Sequence, residues 1–78
     1  MPSDQQTVMW EAKAAPGRDE DLLTFALAHA HPDADLYRSP DGRIVVIDRT
    51  GTGLPEAPDD LVARPVHVWR FDPVPRSV

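Results

Sequence analysis

His67, Trp69 and Phe71 occupy alternate positions of Pro65-Val66-His67-Val68-Trp69-Arg70-Phe71, so an extended strand here lines up an imidazole and two aromatic rings on one side. A neutral imidazole beside aromatic rings can exchange a proton near neutral pH with a molecule inside hydrogen-bond reach. Flat rings offer an apolar wall, and the indole N–H can fix a ligand's orientation. Trp10 supplies a second such wall, and Tyr37, next to the turn at 39–42, a phenolic donor. Trp10, Tyr37, His67, Trp69 and Phe71 are therefore the candidate ligand-binding or interface residues. His29 and His67 are the candidates for acid–base catalysis. The commoner role of such side chains is packing in a core or an interface, with the polar atom satisfied by one hydrogen bond.

Other chemistries find less support. His29 and His31 are two residues apart, about 200° around a helix, where i and i+4 would be needed to place two metal ligands on one face. With no cysteine in the chain, thiolate metal sites, disulfides and thiol nucleophiles are excluded, and no metal or cofactor is expected. Gly51 and Gly53 have neither the spacing nor the following lysine of a phosphate-binding loop. Glu56, Asp59 and Asp60 coincide with an expected helix start, where acids offset the helix dipole. Ser3, Ser39 and Ser77 fall in a terminus, a turn and a tail, outside any nucleophile elbow. Asp48 and Arg49 close a strand, where surface ion pairing is the expectation. Eight Lys plus Arg against 13 Asp plus Glu give a formal charge of -5, which repels phosphate backbones and anionic headgroups, so neither nucleic acid nor membrane is an expected partner. No apolar run is long enough to span a bilayer and the amino terminus shows no signal-peptide pattern, so the expectation is a cytoplasmic protein.

These residues must be held by a single 78-residue domain, with about 6–72 ordered and short terminal tails. Residues 7–13 alternate as a first strand, with Val8, Trp10 and Ala12 opposed to Thr7, Met9, Glu11 and Lys13. After Pro16-Gly17, the acids Asp19, Glu20 and Asp21 open a helix from about Arg18, with Leu22, Leu23, Phe25, Ala26, Leu27 and Ala30 in its apolar arc. Pro32 stops it at about 29–31. Residues 34–38 extend, Ser39-Pro40-Asp41-Gly42 turns, and residues 43–49 form the most strongly marked strand. A short second helix is expected over 58–63 and a last strand over 65–71, ended by Asp72-Pro73-Val74-Pro75-Arg76.

Strand, helix, strand, strand, helix, strand is the order of a ferredoxin-like split β-α-β-β-α-β fold of the α+β class: a four-stranded antiparallel sheet with both helices on one face. The strand over 43–49 is apolar on both sides, Ile44 and Val46 against Val45 and Ile47, and two short helices cannot cover both. A symmetric partner is the simplest cover for the other side, and a homodimer is expected.

In this order of elements the chain resembles the dimeric α+β barrel group, and within it the antibiotic biosynthesis monooxygenase-like domains. The resemblance is carried by Val8-Met9-Trp10-Glu11-Ala12-Lys13, by the helix opening Pro16-Gly17-Arg18-Asp19-Glu20 and by Val66-His67-Val68-Trp69-Arg70-Phe71. It implies two subunits packed sheet to sheet and a small organic molecule held between the sheet and helices of each. The chain has no asparagine and a reduced stretch from Leu54 to Ala63, so the polar residues of the oxygenase and haem-degrading members are not carried over. The sequence thus gives two expectations of function. One is a homodimer binding a small aromatic or hydrophobic molecule, and the other is a non-enzymatic protein–protein interaction or regulatory module using the exposed sheet face.

Overall fold

The computed structural model describes residues 6–76. Four strands, β1 (Thr7–Lys13), β2 (Asp35–Arg38), β3 (Arg43–Asp48) and β4 (His67–Phe71), form one sheet in the order β2-β3-β1-β4, every pair antiparallel. One α-helix, α1 (Asp19–His29), joins β1 to β2. Gly17 (φ 75°) permits the reversal before it, and Pro32 prevents its continuation. Leu22 and Ala26, four apart on one face of α1, are both 0 % exposed and pack over Ile44, Val46 and Trp10.

The expected fold with two helices, β-α-β-β-α-β and ferredoxin-like, is corrected here: among the described residues there is one α-helix, and the connection from β3 to β4 holds only a 3-10 turn, Asp59–Leu61. Proline spacing is the physical reason. Pro55, Pro58 and Pro65 leave six residues between the last two, under two turns, too few to repay helix nucleation. Pro65 also holds Arg64 out of the helical region. The connection instead runs extended beside the end of β1, where Ala15 N–H donates to Leu61 O (2.9 Å), Ala63 N–H donates to Lys13 O (2.8 Å) and Val62 bridges Ala14.

Asp48 also departs from expectation. It is not a surface ion-pair residue but is fully buried, its carboxylate accepting from Thr50 N–H (2.8 Å), the Thr50 hydroxyl (2.5 Å) and Gly53 N–H (2.9 Å). Burial pushes its pKa up, and the hydrogen bonds from Thr50 and Gly53 more than offset this, leaving it below the ordinary aspartate value. Arg49 leaves the strand and pairs with Asp35 at 2.9 Å.

Candidate functional site on the bare sheet face

Strand alternation divides the sheet into two faces. Val8, Trp10, Ala12, Ile44, Val46 and Asp48 point toward α1 and are buried. Thr7, Met9, Glu11 and Lys13 of β1 point the other way, with Val45 and Ile47 of β3, Asp35 and Tyr37 of β2, and His67, Trp69 and Phe71 of β4. No element of the described chain covers this second face.

The register brings its residues together. Met9 lies between Ile47 and Trp69, and Glu11 between Val45 and His67, while Tyr37 stands beside Val45 and Phe71 beside Thr7. Tyr37 is 58 % exposed, Phe71 49 % and Trp69 42 %. In their midst the Glu11 carboxylate, only 11 % exposed, has three basic neighbours. Arg43 Nε lies 2.9 Å from Oε2, in ionic contact though off the axis of a straight hydrogen bond, Arg64 approaches the same oxygen at 3.9 Å, and His67 Nδ1 is 3.5 Å from Oε1. Trp69 presents itself edge-on to the His67 ring, centroids 5.4 Å apart. Lys13 is likewise satisfied, donating to the Asp41 backbone carbonyl. The face carries Tyr37 on one edge strand and Trp69 and Phe71 on the other, with Glu11 and its basic neighbours between them.

The structure thus unites four of the candidates, Tyr37, His67, Trp69 and Phe71, and separates the others. Trp10 is 1 % exposed on the opposite side, its ring 6.4 Å from that of Phe25. His29 is exposed at the end of α1 with its ring 4.4 Å from Phe25, so it and His67 do not share a site. Glu11, Arg43 and Arg64 escaped sequence reasoning. The available signal was a carboxylate in mid-strand among apolar neighbours, which needs a cation beside it. Which cation depends on the cross-strand register.

A second feature lies on the helix side. Where a second helix would have covered β4, an open groove of about 550 Å³ remains, floored by Trp10 and walled by Leu54, Val62, Val66 and Val68, with Glu56 and Asp59 at its rim. Neither feature assembles a nucleophile with a base. Glu11 is engaged by cations, and among the described residues no three His, Asp or Glu side chains converge as a metal site. No helix of the described residues is long and apolar enough to cross a membrane.

No family model, curated protein or solved structure matches this chain, so a functional reading rests on the geometry of these two features.

Proposed function

We propose that the protein is a cytoplasmic, non-enzymatic interaction module that works as a homodimer, the bare sheet face of one copy closing on that of another. The observation that carries this reading is that Tyr37, Trp69 and Phe71 stand exposed on one sheet face that no described element covers. Tyrosine, tryptophan and phenylalanine left exposed on one uncovered face are the residue types enriched in protein interfaces. A second copy suits this face better than a charged partner. Glu11 has Arg43 and Arg64 beside it, Lys13 has Asp41 and Arg49 has Asp35, so each of these charges has an opposite one next to it on the face despite the net charge of -5.

Light scattering over a concentration series, on the wild type and on Trp69→Glu, tests the reading. A wild-type dimer that the variant converts to a monomer with unchanged circular dichroism supports it. A wild-type monomer at all concentrations overturns it. The groove over Trp10 favours a second reading, a bound small aromatic or hydrophobic molecule, because its volume lies in the range of small-ligand sites. A saturable change in tryptophan fluorescence on titration with aromatic acids, quinones or haem is its signature.

A further inference from the structure

We propose that the outer edge of β4 receives an extended peptide segment of another protein, which adds as an antiparallel fifth strand and sets an apolar and a basic side chain into the groove over Trp10. The site lies at the rim of the sheet and does not rest on the sheet-face homodimer. Its backbone is free by register. Ala14 N–H donates to Gly42 O on the β3 side of β1, and Lys13 O accepts from Ala63 N–H on the other side. Even-numbered residues of β1 therefore turn their main-chain groups to β3, and odd-numbered ones to β4. Met9 and Glu11 lie opposite Trp69 and His67, so those two bond inward, and Val66, Val68 and Arg70 present N–H and C=O outward. No described strand or loop takes them. The opposite edge is guarded: β2 has four residues, and Asp35 and Arg38 at its ends are paired with Arg49 and Glu20. β4 carries neither lysine nor proline, the usual guards of an edge.

The groove lies on one side of this edge. Val68 and Arg70 oppose Trp10 and Val8, so Val66, Val68 and Arg70 stand on the helix side of the sheet, and the two valines wall the groove. A strand added antiparallel lies about 4.8 Å beyond β4, and those of its residues that bond to β4 put their side chains on this same side. The same incoming residues thus pair with the edge and enter the groove, which is how strand addition draws affinity from the main chain and specificity from alternate side chains. Leu54, Val62, Val66 and Val68 suit an apolar side chain. The charges suit a basic one. Glu56 and Asp59 at the rim have no ion-pair partner among the described residues. Arg64 also lines the groove, but its guanidinium approaches the Glu11 carboxylate at 3.9 Å, and Arg70 lies farther along β4, outside the lining. Two acids against one arginine already turned toward Glu11 leave the groove net negative.

Two end-blocked, fluorescently labelled hexapeptides serve as probes, valine-threonine-arginine-threonine-valine-threonine and its counterpart with glutamate in place of arginine, read by anisotropy. The arginine peptide is expected to bind saturably and at least about tenfold more tightly than the glutamate peptide, and the double variant Glu56→Lys, Asp59→Lys to reverse that preference. Arg70→Pro removes an outward N–H and none of the bonds to β1, and should weaken the arginine peptide by about tenfold or more with unchanged circular dichroism. Wild-type protein gives the same test without a variant: methylating the valine and arginine nitrogens of the peptide abolishes binding, whereas methylating the threonine nitrogens does not. No saturation up to about 1 mM, equal affinity for the two peptides, or binding that survives methylation of the valine and arginine nitrogens overturns the proposal. Light scattering separates the two readings. A dimer lost in Arg70→Pro but kept in Tyr37→Glu gives the edge to a second copy and overturns the peptide, while a wild-type monomer that binds the arginine peptide overturns the homodimer alone.

Discussion

Trp10 and Trp69 stand on neighbouring strands of one sheet, the first 1 % exposed and the second 42 %. Both strands alternate in the same way, and the difference comes from what lies above each face. Over Trp10 sit Leu22 and Ala26 of α1 and Ala57 and Leu61 of the second connection; over Trp69 the described chain places nothing. One face of this sheet makes the fold, and the other is left without a covering element among the described residues. A buried ring contributes to stability in the monomer, and an exposed ring contributes once a partner removes it from water.

The comparison is broken most strongly by Trp10→Ala. Truncating a fully buried tryptophan costs about 3–5 kcal/mol, a large share of the stability of a domain this size, and urea denaturation followed by circular dichroism should show a lower midpoint or a chain already unfolded. Leu22→Ala removes the helix's contact with the same face and should cost about 3 kcal/mol by the same measurement. Asp48→Ala leaves the N–H groups of Thr50 and Gly53 without their acceptor and should cost about 2 kcal/mol, loosening the start of the second connection.

Asp48 also predicts a pH dependence. Because its folded-state pKa is depressed, the stability it contributes is complete above the unfolded aspartate value and is lost as pH falls through the folded value. The stability gap between wild type and Asp48→Asn should therefore narrow as the solution is acidified below the ordinary aspartate range, as read from urea midpoints at successive pH values. On the bare face the expected effects on folding are smallest. Trp69→Glu should change monomer stability by less than about 0.5 kcal/mol, so that denaturation midpoints at dilute concentration match while association differs. A loss comparable to that of Trp10→Ala would show that the two faces do not divide the work in this way.

Much of the architecture was legible in particular residues. The alternation of Val8, Trp10 and Ala12, the acids before Leu22 and the Ser39-Pro40-Asp41-Gly42 turn mark β1, α1 and the β2–β3 hairpin within a residue or two of their observed bounds. In the second connection Pro58-Asp59-Asp60-Leu61 has the composition of a helix start, while Pro65, which opens the last extended run, denies that helix its length. Tyr37, His67, Trp69 and Phe71 could be singled out by type. Glu11, Arg43 and Arg64 could not, since their juxtaposition depends on Glu11 pairing across the sheet with Val45 and His67 and on Arg64 lying at the approach to β4. Asp48 differs from its expectation for a related reason: an acid at a strand end is ordinarily solvated, and only the return of the loop to Gly53 encloses it.

The four extended segments, the first helix and the turn at 39–42 follow from proline, glycine and the spacing of apolar side chains along a local stretch, whereas the absence of a second helix does not show in that local pattern. The sequence by itself also sorted each strand's residues into two sets. Which set became core, and which was left as an uncovered face with Tyr37, Trp69 and Phe71 exposed, depends on the packing of the elements. A two-residue period has no preferred side until α1 comes to rest on one face of the sheet.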